Sequence, residues 1–348
     1  LTNTPSREEL IDFSDVCFAI QQQAVIHTSN YNTRKIEDLK GKTIHVRRGT
    51  SYEERLNELK NEGLDIIIQL HEDTPTEELI RMVAEKEIEV TIADSNVAFL
   101  NRRYYPDVKI AFPIEEQQSL AWGVKKGEAG LQRATNEFFK KIKDDGTFAK
   151  IYKKYYSNVE IFDYVDLKKY HRRLKTRLPK YKETIKRVAE KHGFDWRLIA
   201  ATIYQESHFN PRAKSFTGVR GMMQLTLDTA KDMGIENRLD PEQSITGGVK
   251  YLKRLYERYD DVEDPDRVLI TLASYNVGHG HIVDAQKIAK EKNLDPHSWN
   301  SLQEVLPLLR YRKYYKKTKN GYCRGTEPVR YVNRIMNYYE ILKREAIS

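Results

Sequence analysis

The stretch YQESHFNP at residues 204–211 follows the apolar run DWRLIAATI, which puts Glu206 in the last turn of a helix, beside the face carrying Leu198, Ile199, Thr202 and Gln205. A carboxylate there meets the negative end of the helix dipole. If it is also partly buried, desolvation and the dipole together push its pKa upward, and it stays protonated near neutrality. A glutamic acid kept neutral in an apolar cleft is what proton donation to a glycosidic oxygen requires. Position alone favours a plainer reading, a solvated helix end or the partner of a nearby lysine. Three later stretches shift that weighting: SFTGVRGMMQLTLDTA (215–230), ASYNVG (273–278) and GTEPVRYVNRI (325–335). Each has its own ordinary reading, since Met222 and Met223 are typical core fillers and Tyr275 can anchor a buried helix end through its hydroxyl. Ordinary glycosidases use two carboxylates, yet no second Asp or Glu stands beside Glu206 in YQESHFNP, GMMQ or ASYNVG, which suggests a one-carboxylate cycle.

The elements that must hold these residues are helical. PKYKETIKRVAEKHG runs from Pro179 to Gly193, and the next helix opens on Asp195 as cap. DPEQSITGGVKYLKRLYERY and DPDRVLITLASYN each open on an Asp-Pro pair, and VRYVNRIMNYYEILKREA repeats apolar residues at helical spacing. The first half reads differently. KTIHV (42–46), DIIIQL (65–70) and IEVTIADS (88–95) alternate with helices at 51–63 and 74–87, the second with Thr74 as cap and Pro75 at its first position. Such a βαβαβ series predicts a parallel sheet covered by helices. From residue 136 the pattern turns helical. The expected organisation is an α/β domain over 1–160, a linker over 161–177 and an all-helical domain over 178–348.

In their order, Glu-Ser, Gly-x-Met-Gln, Ala-x-Tyr-Asn and a Glu followed by Tyr-Val, the motifs resemble lytic transglycosylases of the soluble-type, lysozyme-like fold, which cleave peptidoglycan. The resemblance covers about 178–345. It implies that Glu206 is the catalytic acid/base and that Ser215 bonds it or the substrate. It further implies that Met223 and Gln224 line the cleft, that Tyr275 and Asn276 flank the acid, and that Glu327 and Tyr331 form the late motif. Leu227 stands where proline is common, and Pro328 where threonine is common. The implied reaction splits the MurNAc–GlcNAc β-1,4 bond without water and leaves a 1,6-anhydromuramoyl end, with no metal and no cofactor.

TPSREELIDFS (4–14), DLKGKTIHVRRGTS (38–51) and TIADSN (91–96) resemble periplasmic solute-binding proteins of the amino-acid type, entered part-way through the first lobe. There the matching positions imply that Arg7 clamps a ligand carboxylate, Thr50 adds donors at a helix start and Asp94 takes an ammonium. Muropeptides or amino acids are the expected ligands, and their binding is expected to bias the second domain. Together the halves resemble the membrane-bound lytic transglycosylase F type, which is periplasmic and held at the outer membrane by a lipid outside this sequence.

Composition fits two soluble domains. The 348 residues are 39% hydrophobic and 32% charged, and no apolar run approaches the roughly 18 residues of a membrane span. The chain opens inside a domain without a leader, which leaves a removed signal or anchor open. Cys17 and Cys323, far apart in sequence, fit neither a disulfide framework nor a zinc site. Residues 1–160 carry a net charge of −4 and the rest +12, which favours an anionic polymer as partner of the second half. RYRKYYKKTKNGYCRG (310–325) interleaves basic residues with tyrosines, a composition that also suits nucleic acid, though no nucleic-acid module accompanies it and none is expected as partner; tyrosines stacked on sugar faces beside the cleft and a plain solvated basic loop are the other readings. A goose-type lysozyme, and a solute receptor with an inactive second domain, are the remaining alternatives.

Overall fold

The computed structural model describes residues 1–156 and 164–345. They divide into two compact units, Leu1–Lys169 and Tyr170–Ser348.

The first unit is built on a five-stranded sheet in the order Ile67–His71, Thr43–Arg47, Val90–Asp94, Gln22–His27, Val108–Pro113. The three strands read from sequence lie side by side and parallel. The sheet as a whole is mixed, because Gln22–His27 pairs antiparallel with both Val90–Asp94 and Val108–Pro113. Its QQAVIH run lies outside the βαβαβ rhythm, so alternation alone did not reveal it. Helix Ser51–Asn61 covers one face through Tyr52, Leu56 and Leu59, and helix Thr76–Ala84 the other through Leu79, Ile80 and Val83. The latter starts one residue later than expected, with Pro75 as the cap residue. Two short antiparallel ribbons, Ile11–Phe13 with Gly123–Lys125 and Phe18–Ile20 with Gln118–Leu120, complete the strands. Helices Ala129–Asp144 and Thr147–Tyr156 split the expected helical stretch at Gly146, whose φ of 76° ends the first of them.

Of the expected linker, residues 161–163 lie outside the described residues and Tyr164–Thr176 is a helix. Its charged surface masks an apolar stripe: Tyr170 and Leu174 are buried, and the Tyr170 hydroxyl donates to the Tyr338 carbonyl at 2.8 Å.

The second unit is all helical. Its central helix, Trp196–Ser207, is buried from Leu198 through Tyr204 on every side, the pattern of a helix enclosed by others. Asp195 caps it by accepting the Arg197 N–H at 2.9 Å. Helices Lys182–Lys191 and Thr326–Glu345 pack against it, and Pro241–Tyr256 and Asp266–Val277 complete the inner layer. Asp240 caps Pro241–Tyr256 as the Asp-Pro signal predicts. At the second such pair the structure differs: Pro265 is the cap residue, and Asp264 instead accepts the Tyr256 hydroxyl at 2.8 Å. Leu227 opens helix Leu227–Asp232 without a proline because Thr226 caps it, and Pro328 sits buried in the first turn of Thr326–Glu345.

Candidate active site

The helix Trp196–Ser207 ends by turning left-handed at His208 and Phe209, with φ of 55° and 58°. Glu206 lies in the last helical turn, two residues before this change of direction. Glu206 is half-buried, and burial raises its pKa to about 7. The Tyr331 hydroxyl donates to Glu206 Oε1, which opposes that rise by favouring the carboxylate. Near neutrality the group is therefore balanced between acid and base.

Tyr331 comes from helix Thr326–Glu345 and Tyr275 from helix Asp266–Val277. Burial raises the pKa of both tyrosines, and the charge of Glu206 adds to the rise in each. Both therefore stay protonated donors across the working range. The Tyr275 hydroxyl is directed to the Met223 carbonyl at 2.7 Å, and the Met223 N–H is held by Ser244 Oγ at 3.2 Å. Met223 is thus pinned through both its backbone N–H and its carbonyl and is fully buried. Gln224, left-handed at φ 48°, spends its amide nitrogen on the carbonyls of Ala213 and Gly221 at 3.2 and 2.9 Å.

Sequence reasoning put eight residues at this site. The structure brings Glu206, Tyr331, Tyr275 and Met223 into one connected set, with Gln224 bracing the loop beside them. Ser215 makes its hydrogen bonds inside its own turn, with Thr217 Oγ1 at 2.8 Å and the Val219 N–H at 3.3 Å, so it does not hold Glu206. Asn276 is exposed and makes no hydrogen bond to Glu206. Glu327 is likewise exposed, in the first turn of the helix that carries Tyr331. It leaves Glu206 without a carboxylate partner among the motif residues. Sequence reasoning missed Ser244 and Gly248. A Cβ on Gly248 would lie 2.4 Å from Met223 Cβ, so the helix Pro241–Tyr256 can approach Met223 only with glycine there. The Gly-Gly pair in the interior of that helix was the available signal.

In the first unit the three carried-over residues also have defined partners. Arg7 forks onto Glu54 Oε1 at 3.1 Å and onto the carbonyls of Thr2 and Gly49, both at 3.3 Å. Glu54 was not anticipated. Thr50 is the cap residue of Ser51–Asn61, and its hydroxyl turns back to the Arg47 carbonyl at 2.7 Å. Asp94 ends its strand at the start of helix Ser95–Arg102, where its N–H donates to the Tyr52 hydroxyl at 3.1 Å. Its Oδ1 is buried without a hydrogen-bond partner, and burial raises its pKa.

Two families match the chain. The Transglycosylase SLT domain matches residues 183–297, and bacterial extracellular solute-binding proteins, family 3, match residues 1–158. The fold is therefore an α/β solute-binding domain with a helical, lysozyme-like domain, the latter of the transglycosylase class. A membrane-bound lytic murein transglycosylase F of Desulfosudis oleivorans is 54% identical over 99% of this chain and 76% of its own. That of Stutzerimonas stutzeri is 40% identical over 98% of this chain and 71% of its own. The chain belongs to the membrane-bound lytic murein transglycosylase F family. Among solved structures, an ancestral arginine-binding protein bound to arginine is 26% identical, with a TM-score of 0.42 over 45% of this chain and 69% of that one. No helix among the described residues is long and apolar enough to cross a membrane.

Proposed function

We propose that this chain is a lytic transglycosylase of peptidoglycan in which Glu206 serves in turn as acid and base. The observation that carries the reading is one carboxyl, Glu206, with its pKa raised to about 7 and one tyrosine hydroxyl on it. Protonated Glu206 gives its proton to the oxygen bridging MurNAc and GlcNAc, and the bond from that oxygen to the muramoyl anomeric carbon breaks. The resulting carboxylate, steadied by Tyr331, takes the proton of the muramoyl 6-hydroxyl as its oxygen closes on the anomeric carbon. The proton balance closes on one residue, and the product ends in a 1,6-anhydro ring. A second carboxylate would be required to activate water in an inverting hydrolase or to act as nucleophile in a retaining one. Digestion of sacculi with wild type and Glu206→Gln, with products weighed by mass spectrometry, tests this. Anhydro ends from wild type and at least a thousand-fold slower release from the variant are expected. Reducing ends would assign a goose-type hydrolase instead, and equal release from both proteins would remove Glu206 from the chemistry.

The first unit is read as a regulatory domain that takes an amine-bearing cell-wall fragment or amino acid at Asp94, in a periplasmic protein tethered to the outer membrane. The orphaned Asp94 Oδ1 supports the ammonium end of that ligand. A carboxylate end would have to displace Glu54 from Arg7.

A further inference from the structure

The basic tract 310–325 is the largest feature of the second unit that the reaction at Glu206 leaves unused. It carries Arg310, Arg312, Lys313, Lys316, Lys317, Lys319 and Arg324 with no acidic residue among them. All seven are exposed, and among the described residues none of them forms an ion pair. Tyr311 and Tyr322 are 51% and 56% exposed, and Tyr322 meets Tyr315 edge-on at 5.8 Å. Seven exposed like charges without an ion-pair partner among the described residues make this face strongly electropositive and suit it to an anionic partner.

The tract is a fixed platform. Asp284, only 3% exposed, accepts the N–H groups of Lys319 and Asn320 at 3.2 and 3.0 Å from beneath. Asn320 Nδ2 donates to the Gly280 carbonyl at 2.9 Å, and the Cys323 N–H to the Leu309 carbonyl at 3.3 Å. Gly325 packs so closely on the Leu306 carbonyl that a Cβ would lie 1.7 Å from its oxygen. An unstructured polybasic tail binds a charged lipid surface without such anchoring, whereas a polymer with charges at set positions rewards it. The platform also leads into the active site. Thr326 opens the helix that delivers Tyr331 to Glu206, so with a rise of about 1.5 Å per residue Arg324 lies within about 15 Å of Tyr331 along the chain.

We propose that this platform binds the carboxylates of the stem peptides borne by the same glycan strand that Glu206 cuts, with the exposed tyrosines against the neighbouring sugars. The proposal rests on the lytic-transglycosylase reading. It makes the tract a specificity surface that favours peptide-bearing over naked glycan.

The test compares wild type with the triple variant Lys313→Gln, Lys316→Gln, Lys317→Gln on peptide-bearing sacculi and on glycan strands stripped of peptides by an amidase. On sacculi the variant is expected to show KM raised about tenfold with kcat unchanged, and a weaker salt dependence. On stripped strands the two proteins are expected to be equal, which also shows that the variant is folded. An unchanged KM on sacculi, or an equal loss on both substrates, overturns the proposal. So does loss of binding to anionic phospholipid vesicles with sacculus KM intact, which would assign the tract to a membrane surface. Failure of the underlying reading is seen separately, as absence of anhydro ends from wild type on either substrate.

Discussion

In the proposed reaction Glu206 and Tyr331 form the pair on which the chemistry turns, and each has a separable effect. Burial raises the carboxyl to about 7, while the tyrosine hydroxyl pulls it back by stabilising the charged form. Removing that hydroxyl in Tyr331→Phe therefore raises the Glu206 pKa further. The first step needs the protonated acid, so activity falls as pH rises through this pKa. In the variant that descending limb moves to higher pH, and kcat at its plateau drops about tenfold because the carboxylate loses its orienting bond. A pH–rate profile of the two proteins checks it, and a limb shifted to lower pH would contradict the assignment. The candidate acid was legible from sequence because a helix end and an apolar approach are local features. The tyrosine contact was not, since 125 residues separate the partners and no local pattern encodes their meeting.

Helices set the geometry, and small residues set the helices. Met223 holds Tyr275 through its carbonyl, and Gly248 is what lets the helix Pro241–Tyr256 press against Met223. Gly248→Ala forces a methyl into van der Waals overlap with that side chain. The expected cost is about 1–3 kcal/mol of stability by denaturant unfolding, with a fall in kcat greater than that of an equally destabilising substitution away from Met223. An alanine variant with wild-type stability would show that the approach is not close. Caps such as Asp195 and Asp240 were readable because they act on the next turn. Pro265 shows the limit of that reading, because Asp264 was drawn to the Tyr256 hydroxyl, a partner outside the motif. Helix Tyr164–Thr176 was missed for a related reason: its charges conceal Tyr170 and Leu174, whose burial depends on tertiary neighbours.

At the scale of the molecule, two units carry opposite net charge, and the proposed reading gives each its own kind of site. The parallel core of the first unit followed from its strand–helix rhythm, whereas the antiparallel strand Gln22–His27 within it did not, because strand direction is fixed by pairing and not by composition. Arg7, Thr50 and Asp94 were legible as motif positions, but Glu54 on Arg7 was not. If Asp94 takes the ammonium of a ligand, calorimetric titration of the full chain with a soluble stem peptide bearing a free amine shows binding. Asp94→Asn is expected to weaken it at least tenfold while turnover without peptide is unchanged. Equal binding by both proteins would remove Asp94 from that role.

The central claim is that one carboxyl completes the cycle and water takes no part. Digestion of sacculi in water enriched with heavy oxygen, followed by mass spectrometry of the released ends, reads it directly. The account predicts anhydromuramoyl ends without the label. Heavy oxygen on the muramoyl anomeric carbon of the primary products would contradict it.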